Sequence, residues 1–228
     1  MEMLARIGAA YAAETFKVLR QRKWYAGPGL ALAISAGMSW LHLAKHTTSG
    51  YQYIADAVSV SVCSAGLLLV LVFSAALVAP EADSGVLRGM LARPILRREL
   101  ILAKWLVGCT YAVLLLAMGA GGAWAAALLT GDLTGVSYGG ELIHGQAEMR
   151  TLFLYAAAAS LAPLAAAVSF GLMFSVLART AGGAFLATFT VFIALDAVKY
   201  PLGIGPYIFT THIETPWAVF RAWCDCMD

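Results

Sequence analysis

A charged island, Glu81 to Lys104 (EADSGVLRGMLARPILRRELILAK), separates two long apolar runs and constrains this chain more than any other stretch. It carries Arg88, Arg93, Arg97, Arg98 and Lys104, a third of the fifteen basic residues in the chain, together with Glu81, Asp83 and Glu99. Charges this dense cannot lie in hydrocarbon, so the island must face water on one side of a membrane. The apolar runs are then arranged about that fixed point. Hydrophobic residues make up 61% of the 228 and charged residues 12%, against about a quarter charged in a soluble domain. Crossings of about 20 residues each fit this balance better than one soluble core does. The expected class is an all-α, polytopic transmembrane helix bundle. A net charge of +2 gives no reason to expect a nucleic-acid partner.

The island has internal order. Asp83 and Ser84 suit helix N-caps, and Val86, Leu87, Met90 and Leu91 then recur at helical spacing. Pro94 ends that turn, since it lacks an N–H and disfavours the α region at Arg93. A second helix is expected to run through Arg97, Arg98 and Glu99 into the next span. On the residues alone, the island reads as a positive-inside loop that sets topology.

The pattern Glu81-x-Asp83-x-Gly85-x-x-Arg88-x-x-Leu91-x-Arg93-Pro94-Ile95-x-Arg97-x-x-Leu100-x-x-x-Lys104 resembles the cytoplasmic loop of ABC-2 type transporter permeases. The resemblance implies a loop that follows the second span and docks on a separate ATP-binding subunit. The coupling residues it implies are Glu81, Asp83, Gly85, Arg88, Arg93, Pro94, Arg97 and Arg98. It further implies that ATP and Mg are held by the partner and that this chain binds no cofactor itself. A second permease copy, identical or related, completes the implied assembly in a bacterial or archaeal plasma membrane.

Residues 1–24 lack the apolar core and cleavage site of a signal peptide. Leu4, Ile7, Tyr11, Val18 and Leu19 fall near one helical face, with Arg6, Glu14, Lys17 and Gln21 expected opposite. That reads as an amphipathic helix lying in the membrane interface, the elbow helix of the family it resembles. Spans are expected at 27–43, opened by Pro28, and at 57–79, 105–129, 151–177 and 183–200. Ser59, Ser61 and Ser64 in the second span, and Gly119, Gly121 and Gly122 in the third, suggest close helix packing. Pro163 is a hinge or a bend in the fourth. The segment 201–228 is broken by Gly203, Gly205, Pro206 and Pro216 and leads to a short aromatic helix, Trp217 to Trp223, on the outer side. With the N-terminus cytoplasmic, Lys45, Arg150, Lys199 and Arg221 fall outside and the other eleven basic residues inside. The family that the chain resembles usually has six spans, so five suggest a truncated or divergent end.

Site chemistry is sparse. There is no GxxxxGK[ST] to cradle phosphates, no HExxH and no GxSxG, so no enzyme is expected. Asp56 and Asp196 are the ionisable residues nearest the apolar cores. They are either hydrated at the outer boundary or face a substrate or proton pathway, and Asp196 can pair with Lys199 one turn on. His42 and His46 could together bind a metal, but such a pair is more commonly two wet loop histidines. Cys63 and Cys109 read as small core residues. Cys224 and Cys226, with His212 upstream, offer soft ligands of the Cu(I) type, but a Cys-x-Cys pair alone does not define a metal site. The expected function is the membrane subunit of an ATP-driven exporter. The alternatives are an ion-coupled carrier and a scaffold that anchors a partner through the same loop.

Overall fold

The computed structural model of the chain describes residues 2–45, 50–85, 96–130, 133, 136–138 and 141–225. The helix expected from Val86, with Arg88, Arg93 and Pro94, lies outside them, as do His46 and Cys226. The side chains of His42 and Cys224 are likewise not described.

The described chain is a helical bundle. In order it forms α1 (Glu2–Leu19), α2 (Arg22–Lys45) and α3 (Gly50–Val58), which runs through a π-helical turn (Ser59–Ser64) into α4 (Ala65–Ala75). There follow α5 (Ala79–Asp83), α6 (Arg97–Thr130), a two-stranded antiparallel hairpin of β1 (Val136–Tyr138) and β2 (Glu141–His144), α7 (Gln146–Leu177), α8 (Ala181–Val198) and α9 (Phe209–Asp225). The hairpin was not legible in its Gly-rich loop sequence. Among the described residues, four stretches are long and apolar enough to cross a membrane: Gly50–Asp83, Arg97–Leu129, Gln146–Leu177 and Ala181–Val198. They overlap the expected second to fifth spans. The helix over the expected first span, α2, is not among them; glycines, serines and Pro28 dilute its apolarity.

Three boundaries differ from expectation. Pro28 does not open its helix, because α2 already starts at Arg22, and so it removes one hydrogen bond from the helix interior. Asp83 and Ser84 close a helix: Asp83 ends α5, and Ser84 is its C-cap. Gly85 follows with φ 75°, the left-handed conformation that glycine adopts most cheaply after a helix end. The aromatic helix near the C-terminus starts at Phe209 and contains Pro216. It is no isolated surface turn, because Trp217 and Phe220 are buried.

The chain divides into two compact units. The first comprises Met1–Ala26, Leu68–Val113 and Leu164–Phe209, and the second Gly27–Leu67, Leu114–Pro163 and Thr210–Asp228.

Close approach organises the second unit. A methyl group at Gly119 would lie 2.6 Å from Val62 Cγ2, and one at Gly122 would lie 2.7 Å from Leu32, so both glycines are where another helix passes. Nothing lies within 4 Å of a methyl at Gly121. Ser35 Oγ donates to the Gly119 carbonyl at 2.8 Å, and Tyr53 donates to the Ser35 carbonyl at 2.6 Å. On α9, Trp217 donates its indole N–H to Ser160 Oγ at 2.8 Å and meets Phe153 edge-on at 5.5 Å between centroids. Its polar tip is thereby satisfied inside an aromatic core.

In the first unit, Trp24, Phe73 and Tyr111 form an aromatic cluster, with Phe73 and Tyr111 stacked at 4.0 Å. α1 is tied to α6 by Tyr11 and Thr110, whose oxygens are 2.8 Å apart. Thr110 spends its own proton on the Leu106 carbonyl, so Tyr11 is the donor.

The break between α4 and α5 leaves buried backbone groups that no helix satisfies. Ser175, arriving on α7, satisfies three of them. Its hydroxyl accepts from the N–H groups of Val78 and Ala79, each at 3.0 Å, and donates to the Ala75 carbonyl at 2.6 Å. One proton and two lone pairs are thus all in use. Ser175→Ala should lower the stability of the purified protein by about 2–3 kcal/mol, since it strands these groups away from water. Ser175→Thr, which keeps the hydroxyl, should cost less. Thermal unfolding in detergent measures both, and an unchanged midpoint for the alanine variant would show that the break is satisfied by other means.

Candidate functional site

The two described ends of the charged island meet in a buried ionic network in the first unit. Lys104, one turn before Gly108 on α6, is almost wholly buried at 1% exposure, and an isolated ammonium there would be costly. Three oxygens surround it, two accepting its N–H groups and one facing it as an ion pair. They are Glu14 Oε2 at 3.0 Å, the Leu77 carbonyl at 2.8 Å and Glu81 Oε2 at 2.8 Å. The approach to Glu81 Oε2 is an ion-pair contact at an angle outside hydrogen-bonding geometry. The other Glu81 oxygen takes the Lys17 ammonium, which also lies 4.0 Å from Glu14.

Each member is positioned by local structure. Glu81 is placed by α5, the short helix that begins with Ala79 and Pro80, where the missing proline N–H is harmless. Lys104 is placed by α6, which runs through Arg97, Arg98 and Glu99 as expected. The Leu96 N–H donates to Glu99 Oε2 at 3.1 Å, the reciprocal half of a capping box. That use turns Glu99 inward to 2% exposure, whereas Arg97 and Arg98 beside it are exposed.

Glu14 corrects the reading of α1. Expected on the polar face, it is 5% exposed and shares the buried stripe of Ile7, Ala10 and Val18. Seven residues are nearly two full turns, so Glu14 overlies Ile7. Lys17 is more open, with 38% of its side chain exposed. Glu14, Lys17 and Glu81 line a cleft of about 480 Å³ together with Trp24 and Phe73, and through it water reaches the outer lysine.

Two carboxylates and two ammonium groups therefore compensate one another in a setting of low dielectric. Such an arrangement holds its members in register, because removing Lys104, its buried centre, strands the buried carboxylate of Glu14. It ties α1 to both the start and the end of the island.

The remaining residues singled out by sequence are dispersed. Asp83, Gly85, Arg97 and Arg98 are exposed. Asp196 makes the expected pair one turn along α8, its Oδ1 lying 2.6 Å from Lys199 Nζ, and Lys199 also lies over the Tyr200 ring at 5.0 Å. Asp56 is half-buried on α3 and belongs to the second unit. Sequence reasoning assigned no site role to Glu14, Lys17 or Lys104. The local signal was the spacing of Glu14 and Lys17 one turn apart, but Lys104 is 90 residues from Glu14.

No curated protein and no solved structure matches the chain. The model of a family described as ABC-2 family transporter protein matches residues 21–212, from the start of α2 into α9 and across the whole charged island. With its apolar helices and most of its length inside that match, the chain is an integral membrane protein that belongs to the ABC-2 transporter family.

Proposed function

We propose that this chain is the membrane-spanning subunit of an ATP-driven exporter, and that ATP and Mg bind to a separate partner subunit that docks on the Glu81–Lys104 island. The observation that carries this reading is the ionic network, which mounts both ends of the island on α1 through Glu14 and Lys17. A loop whose stem is clamped in this way moves with the helices on either side of it. Force applied to the island passes along α6 and, through the two glutamates, to α1, which acts as the elbow helix. In this scheme Glu81 holds the stem, and the docking contacts fall to Asp83, Gly85, Arg88, Arg93, Pro94 and Arg97. Partner binding shifts the transporter only if it favours one state over another.

ATP is cytoplasmic, so the island and the N-terminus face the cytoplasm, in line with the basic residues concentrated there. A second copy, identical or related, completes the pathway. The largely exposed apolar surface of α8, including Leu186 and Ile193, is available to such a copy or to lipid. Asp56 and Asp196 remain candidates for residues along the pathway.

Co-expression with a candidate ABC-type ATP-binding protein tests the proposal. The two should co-purify, and the permease should stimulate ATP hydrolysis in proteoliposomes. Transport that persists without the ATPase would instead establish an ion-coupled carrier. Stable binding without stimulated turnover would establish a scaffold.

A further inference from the structure

Arg97 and Arg98 are neighbours in sequence, but they open onto different surfaces of the first unit. Arg97 borders a small cleft with Val78 and Ala82 beside α5, whereas Arg98 stands at the mouth of an open groove between α6 and α7. That groove encloses about 740 Å³, within the range of roughly 300–1,000 Å³ typical of small-molecule clefts. Its walls are Ile101, Leu102, Leu172, Met173 and Val176, and among the described residues Arg98 is the one charged residue on its lining. The polar atoms deeper in are already spent. Trp105 donates its indole N–H to Ser169 Oγ at 2.9 Å, and Ser169 donates its proton to the Ala165 carbonyl at 2.9 Å. Nothing inside the groove rewards a polar ligand, and everything rewards a hydrocarbon chain.

The mouth is different. Arg98 is exposed, Arg97 stands next to it, and Glu99 is turned away into the protein on the Leu96 N–H. The mouth is therefore cationic, and its guanidinium can bind a phosphate through two parallel hydrogen bonds. Arg98 and Trp105 are seven residues apart, about 10 Å along the helix axis.

We infer that the α6–α7 groove is a binding site for one anionic phospholipid of the leaflet that Arg98 faces, with the phosphate on Arg98 and an acyl chain against Leu102, Met173 and Val176. Basic pockets between membrane helices recognise acidic head groups by the same combination. The site gives the two arginines separate tasks: Arg98 anchors lipid, and Arg97 is left for the partner subunit. Its occupant wedges the first turns of α6 against the last turns of α7, next to the stem of the island.

The test uses the full chain purified alone in dodecyl maltoside, so it does not depend on whether an ATPase docks. Native mass spectrometry during titration with dioleoyl phosphatidylglycerol should show one lipid bound about tenfold more tightly than dioleoyl phosphatidylcholine, the scale of one charge-assisted contact. Arg98→Gln should abolish that preference, while Arg98→Lys should retain part of it and Arg97→Gln should leave it intact. Met173→Trp, which fills the groove without touching the mouth, should displace the lipid. Glycerol phosphate, which has the head group and no chain, should not compete. Equal binding of the two lipids by the native chain would overturn the site, as would an unchanged preference in Arg98→Gln. A lipid-free dimer that covers the groove would assign this face to a second copy and overturn it as well.

Discussion

Lys104→Met should be the most damaging single substitution in the first unit, lowering stability by about 3–5 kcal/mol, the usual cost of stranding buried charge. Methionine matches the lysine stem in length and apolar character, so the change removes the ammonium and little packing. Glu14 is left at 5% exposure with only Lys17, 4.0 Å away, and Glu81 loses one of its two cations. The Leu77 carbonyl also loses its donor. Thermal unfolding in detergent, with monodisperse yield as a second readout, measures the loss. Glu14→Gln added to Lys104→Met should recover part of it, because the stranded carboxylate is then gone and an amide costs less to bury. Lys17→Met should cost no more than about 1 kcal/mol, since that ammonium is partly solvated. The network would have no structural weight if Lys104→Met unfolded at the native temperature.

Reversing charge on the island should uncouple the transporter without unfolding it. Arg97 is exposed at the start of α6, where a glutamate suits the positive end of a helix dipole. Arg97→Glu combined with Arg93→Glu should therefore leave expression near normal. If the two arginines meet acidic groups on an ATP-binding partner, reversal turns attraction into repulsion. Like charges facing each other across an interface cost several kcal/mol, so affinity should fall by about a hundredfold or more. The partner should be lost on purification and stimulated ATP hydrolysis should vanish. Arg→Lys at both positions should be milder but measurable, because lysine cannot form the two-point contact with a carboxylate. Co-purification at native yield with native turnover would return the island to a role in topology alone. Lipid retention at the α6–α7 groove should be unaffected, since Arg97 lies outside its lining.

Some of the site was readable because a helix fixes its own short-range neighbours. The Asp196–Lys199 pair follows from a three-residue spacing alone, and a helix through Arg97, Arg98 and Glu99 follows from the break expected at Pro94. Glu14 was misplaced for a specific reason. A carboxylate was expected to point outward, and that expectation fails when a buried lysine arrives from another helix. Ser175 carried no sequence signal at all: a serine in a long apolar helix looks like any other until the α4–α5 break is placed beside it, 100 residues away in the chain. The start of α9 was missed because Pro216 suggested a first helical turn, whereas packing of Trp217 and Phe220 carries the helix past it.

Partition between water and hydrocarbon is an additive property of local composition, and helical spacing is a property of the backbone. The class of the chain, four stretches apolar enough to cross a membrane and the position of the charged island were therefore written in the order of residues. Which helices become neighbours is not local. Burial of apolar surface is non-directional and would accept many pairings of such similar helices. Tertiary packing chose one in which Glu14, Glu81 and Lys104 converge, and only there does the charge on each make sense of the burial of the others. The same packing split two adjacent arginines between a cleft beside α5 and a groove beside α7, because successive residues on a helix point about 100° apart.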